Sequence, residues 1–166
     1  GPDTVLGQWL RSKATVLKIN DLLFLHGGIS EELVERGLDL AQINQGVRDR
    51  LGGTVPETPT VTDRDEFLFK KFGPLWYRGY FEAKDIPRAT PAAVDRILGH
   101  FDTRAMFVGH TKVPTVTPLY DGKVIAVQVY PHRDERSGKP VMEGLLIRDG
   151  AFFKAHIDGR LEVLGG

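Results

Sequence analysis

Residues Leu22–Ser30, LLFLHGGIS, constrain the fold more than any other stretch. An apolar run stops on His26, two glycines follow at once, and Ser30 offers a helix start. Ala105–Thr111, AMFVGHT, repeats the grammar, its apolar run ending at Gly109 and His110. In open α/β sheets ligands bind beyond the carboxyl ends of the strands. Neighbouring strands that end this way aim two imidazoles into one crevice, and metal ligation is the use expected for them.

What could be bound there is narrowed by composition. Lys+Arg and Asp+Glu are equal at 22 each, so no polybasic surface for nucleic acid or an anionic membrane is expected. With Cys 0, any metal must be held by nitrogen and oxygen. No apolar run approaches the ~20 residues of a membrane span, and the N-terminus lacks the charged and apolar regions of a signal peptide. A soluble protein is expected. At 166 residues a single domain is expected, and a start made directly on an amphipathic helix points to a segment upstream.

Along the chain, Asp3 or Thr4 caps a helix whose Val5, Leu6, Trp9 and Leu10 share one face, expected to pack through Trp9. Thr15–Ile19 and Leu22–His26 read as a β-hairpin around Asn20-Asp21. Ser30 caps a helix start with Glu31 and Glu32 in its first turn, and a further helix carries Leu40, Ile43, Val47 and Leu51. Residues 53–64, rich in Gly, Pro and Thr, read as a surface loop placed to cross the mouth of a site. An aromatic-rich segment runs from Phe67 to Phe81, and Thr90-Pro91 opens a helix with Val94, Ile97 and Leu98 as its buried stripe.

After the His110 strand the texture becomes antiparallel β. Val124–Tyr130, Met142–Arg148, Ala151–Ile157 and Arg160–Leu164 are punctuated by Asp-Gly turns and predict a meander, with a charged loop over 131–141. Ile125, Val127 and Val129 are expected to face a core and Gln128 the other way. The fold class is α/β with an α+β texture.

HGGIS at 26–30, GPLWYRGY at 73–80 and VGHT at 108–111 followed by YDGKVIAV come in this order and at these intervals. Together they resemble the carboxyl-terminal half of calcineurin-like metallophosphoesterases, closest to the bacterial, Shewanella-like branch of the phosphoprotein phosphatases. The resemblance implies a β-sandwich flanked by helices, with residues 1–166 as the C-terminal half of one such domain. It also implies two divalent transition-metal ions (Mn, Fe, Zn, Ni or Co) that clamp a phosphate and a bridging hydroxide. His26 and His110 look like nitrogen ligands of the second metal, and Arg78 like the guanidinium that grips the phosphate. Gly27 and Tyr77 join Arg78 as expected substrate-binding residues, the two glycines letting the backbone pass close to the metal.

The departures are as informative. The family's D-x-H, GD-x-x-D and GNH patterns are absent from these 166 residues. Two histidines cannot hold a binuclear centre, so an N-terminal half in cis or in trans is expected to supply the remaining ligands. The implied activity is phosphomonoester hydrolysis by a bacterial protein of the cytoplasm or periplasm. A phosphorylated protein is the first expected substrate, at Ser/Thr or Tyr. A small phosphorylated metabolite or a dinucleoside polyphosphate comes next. The alternative is a non-catalytic or partner-dependent domain that keeps the fold. For Arg78 the alternative is stacking on Trp76 or Tyr77.

Overall fold

The computed structural model describes residues 4–52 and 63–165. Its centre is a mixed sheet of β1 (Val16–Ile19), β2 (Leu22–Leu25), β3 (Ala105–Val108), β4 (Thr117–Leu119) and β5 (Val124–Ala126), in the order β1-β2-β3-β5-β4. β1 and β2 form the expected antiparallel hairpin. Its turn puts Asn20 at φ 54°, a left-handed conformation that asparagine tolerates. β2 then runs parallel to β3, and β3 parallel to β5. Parallel neighbours need a crossover. The one from β2 to β3 holds α2 (Glu31–Glu35), α3 (Leu40–Gly52), α4 (Asp63–Leu68) and α5 (Pro91–His100).

Strand alternation divides the core into two layers. Leu23, Met106, Val108, Val124 and Ala126 face the helices with Leu33, Ile43, Val47, Val94 and Ile97. Leu22, Phe107 and Ile125 face the opposite way, toward Phe152, Leu145 and Ile147 of a second sheet. That sheet is antiparallel, made of β8 (Glu143–Arg148), β9 (Ala151–His156) and β10 (Leu161–Gly165) in the order β10-β9-β8. Burial on both faces explains why the central strands read as continuous apolar runs.

Three expectations need correction. The meander has three strands rather than four, because β5 stops at Ala126 and lies in the central sheet beside β3. Val124, Ile125 and Ala126 are all buried, the texture of an inner strand. Val127 and Val129 still pack with Ile125 toward the second sheet. Residues 131–141 are a small hairpin, β6 (His132–Arg133) with β7 (Pro140–Val141), in which Asp134 accepts from the backbone and hydroxyl of Ser137. Finally, α1 (Val5–Arg11) forms as expected on a Thr4 cap, yet none of its residues is buried. Trp9 is 54% exposed and carries the Lys13 ammonium over its ring instead of packing into the core.

The loop expected over 53–64 lies outside the described residues as far as 62, and α4 already begins at Asp63. Among the described residues no helix is long and apolar enough to cross a membrane.

Candidate functional site

The parallel register of β2 and β3 pairs Leu25 with Val108, so the residues just beyond them leave the sheet side by side. The Gly109 amide donates to the His26 carbonyl at 2.9 Å and extends the ladder by one step. At this point the imidazoles meet, His26 Nε2 lying 2.7 Å from His110 Nδ1. His110 sits at φ +57°, a left-handed conformation that non-glycine residues rarely adopt and that turns its ring toward His26.

Arg78 comes in from the 73–80 segment, and its Nη2 touches His110 Nε2. A guanidinium can only donate, so His110 Nε2 is the acceptor. In its neutral form His110 therefore carries its proton on Nδ1 and donates it to His26 Nε2. Burial holds the His110 pKa below the usual histidine value, and the charges of Arg78 and His26 push the same way. The pair thus keeps a neutral imidazole beside an obligate cation.

The segment bearing Arg78 is strapped to the HGGIS turn. The amides of Gly27 and Gly28 both donate to the Pro74 carbonyl, at 3.0 and 3.2 Å. Tyr80 is fully buried, and its hydroxyl donates to the Ile29 carbonyl at 2.6 Å while accepting from the Ile29 amide at 3.1 Å. The Ser30 hydroxyl donates to the Phe72 carbonyl and also caps α2 by accepting from Leu33. Four consecutive residues of one segment are therefore tied to the other.

Two of the expected substrate-binding residues have close protein neighbours of their own. Gly27 is glycine because a Cβ there would lie 2.7 Å from the Pro74 carbonyl oxygen, and one at Gly28 would lie 2.7 Å from the Tyr80 ring. The close neighbours that demand glycine are protein backbone and aromatic core, and the Gly27 amide donates to the Pro74 carbonyl. Tyr77 is 5% exposed, packed edge-on against Tyr80, and burial pushes its phenol up to about 12. Its ring belongs to the buried aromatic cluster beside the Arg78 backbone.

Two residues at the site escaped the sequence reading. Trp76 is half-exposed with its indole edge-on to the His110 ring, at 5.1 Å between centroids. It was legible as one of the aromatic cluster, where position alone does not separate core from crevice. Gln128 is the other. A Cβ built on Gly109 would meet Gln128 Oε1 at 3.4 Å and His26 Nδ1 at 3.9 Å, so the amide and the histidine flank the same glycine. The remaining histidines lie elsewhere: His100 against the Leu38 carbonyl, His132 on the small hairpin, and His156 between Glu143 and Glu162 on the second sheet.

Two imidazole nitrogens facing each other across one shared proton suit two positions on a transition metal. Among the described residues no group of three or more His, Cys, Asp or Glu converges, so this pair is a partial donor set. The fit is good for two ligands and needs others from outside these residues.

No protein-family model matches the chain, and no curated protein matches it. Solved structures do. The cold-active protein-tyrosine phosphatase of a psychrophilic Shewanella species is 40% identical, with a TM-score of 0.81 over 99% of this chain and 46% of that one. A second structure of a cold-active protein tyrosine phosphatase is 39% identical, with a TM-score of 0.80 over 98% of this chain and 45% of that one. A point mutant of a cold-active protein tyrosine phosphatase is 40% identical, with a TM-score of 0.81 over 99% and 46%. This chain is thus similar along nearly its whole length to slightly under half of each of these phosphatases.

Proposed function

We propose that this chain forms one wall of the active site of a phosphatase that hydrolyses phosphomonoesters. A phosphorylated protein is the first substrate, with tyrosine favoured by the names of the similar structures and serine or threonine next. The observation that carries the reading is the meeting of His26, His110 and Arg78 beyond the ends of two parallel strands, where such sheets bind ligands. Residues 1–166 belong, on this reading, to a single metallophosphoesterase domain, whose remaining metal ligands come from outside the described residues, in cis or in trans.

His26 and His110 would hold one of two divalent transition-metal ions. Lewis acidity toward the phosphoryl group is the chemistry that such ions supply when bound. The lowered pKa of His110 disfavours its charged form, which could not act as a ligand. Arg78 stays charged throughout and presents its guanidinium N–H groups to the anionic oxygens, where charge stabilisation acts on the transition state. The straps from Pro74 and Tyr80 fix the distance between that guanidinium and the imidazoles.

Metal analysis and turnover of the native protein test this together. Wild type should hold about two transition-metal ions, and His26→Ala or His110→Ala should lower that content and abolish turnover. Arg78→Ala should keep its metal and lose on the order of 3 kcal/mol of transition-state binding, about 100-fold in kcat/KM for p-nitrophenyl phosphate. Unchanged metal content in both histidine variants would overturn the ligand assignment.

A further inference from the structure

A groove of about 570 Å³ is lined in part by Arg78 and Trp76, the two residues that touch His110 at the site. Phe69, Ala83 and Ile86 line its apolar part, while side chains of both signs stand at its rim. Trp76 is the hinge of this geometry. One edge of the indole rests on His110, yet the side chain remains 49% exposed. A tryptophan half in water next to an obligate cation contributes little to the core. What it offers instead is a large, rigid apolar surface a few ångström from where Arg78 would grip an anion.

We propose that this groove is the pocket for the organic part of the substrate, that it takes an aromatic ring, and that Trp76 is its specificity-determining residue. This rests on the phosphatase reading above. A phosphoryl group held at Arg78 places its ester substituent against the wall that Trp76 forms. A flat ring there can make an offset or edge-on pair with the indole, while a short alkyl substituent has no such surface to present. The groove is also far larger than a phosphate, within the size range of small-molecule pockets.

Two probes that cannot be hydrolysed separate the ring from the anion: phenylphosphonate and methylphosphonate, bound to the metal-loaded native protein. Wild type should bind phenylphosphonate about tenfold more tightly. Trp76→Ala should bring the two affinities together by weakening the phenyl ligand alone, and Trp76→Phe should keep most of the preference. Equal binding of both probes by wild type overturns the aryl pocket and leaves the phosphatase reading standing. A preference that survives in Trp76→Ala removes Trp76 from the role. Binding of neither probe overturns the phosphatase reading and the pocket with it. Should Trp76→Ala fail to fold, Trp76→Leu replaces it and the wild-type ratio still decides the pocket.

Discussion

The two strand ends that carry the histidines look alike in sequence and are held by opposite means. Beyond β2 the backbone is relaxed and the space is full: Gly27 and Gly28 avoid positive φ, but neither could carry a Cβ. Beyond β3 the space is looser and the backbone is strained: Gly109 has its nearest neighbour at 3.3 Å, and the left-handed turn falls on His110 itself. The first end is positioned by close approach and the second by conformation. A glycine next to a histidine therefore has two physical meanings here.

The largest expected effect follows from the crowded end. In Gly27→Ala the new methyl would meet the Pro74 oxygen at 2.7 Å and the Leu75 carbonyl carbon at 2.8 Å, both backbone atoms of the segment that carries Arg78. Urea denaturation should show a loss of about 3 kcal/mol or more. Gly109→Ala should cost under about 1 kcal/mol, since its neighbours at 3.3 and 3.4 Å need to give only a few tenths of an ångström. Equal costs would erase the distinction between the two ends.

Tyr80 supports the crowded end from below. Tyr80→Phe leaves the buried amide and carbonyl of Ile29 without their shared partner, an expected loss of about 1–3 kcal/mol. The same phenol gives a pH signature. Burial raises the Tyr77 pKa to about 12 and pushes that of Tyr80 well above its ordinary value of 10.0. Both stay neutral in the folded state after the unfolded chain has begun to ionise. Their contribution is complete below pH ~10 and is lost as the pH climbs toward ~12. Denaturation midpoints between pH 9 and ~12 should fall less steeply in Tyr80→Phe than in wild type.

How much of this was legible depended on what each signal measures. Thr4 and Thr90 both cap helices with a clean apolar stripe, and both helices form. In α5 the stripe of Ala93, Val94, Ile97 and Leu98 is buried, whereas in α1 Val5 is 88% and Leu6 65% exposed. Periodicity specifies which face is apolar and is silent about what covers it. The strand pair was legible for a related reason. Apolar runs ending on histidine mark strand ends, and the parallel register set both rings in one crevice. The splitting of Val124–Tyr130 from the meander was not, because a run buried on both faces and one buried on a single face share their first residues. Trp76 escaped because its sequence neighbours Tyr77 and Tyr80 do go inside, and only packing separates them. The close approach at Gly27 was hidden as well, since the neighbour it meets, Pro74, lies far along the chain.

The smallest effect is the sharpest test of the comparison, because it turns on a sign. Replacing either histidine removes the same hydrogen bond between them, so the choice of replacement isolates the backbone. At His110 alanine keeps the left-handed strain while glycine relieves it, so His110→Gly should be more stable than His110→Ala by about 1 kcal/mol. At His26 no positive φ needs relief, and glycine only adds freedom to the unfolded chain. His26→Gly should there be less stable than His26→Ala by roughly 0.5–1 kcal/mol. All four variants lose an imidazole, so if the pair ligates metal as proposed, the four lose it alike and the reversal would appear in stability alone. Glycine less stable than alanine at both positions would mean that the left-handed turn at His110 carries no conformational cost.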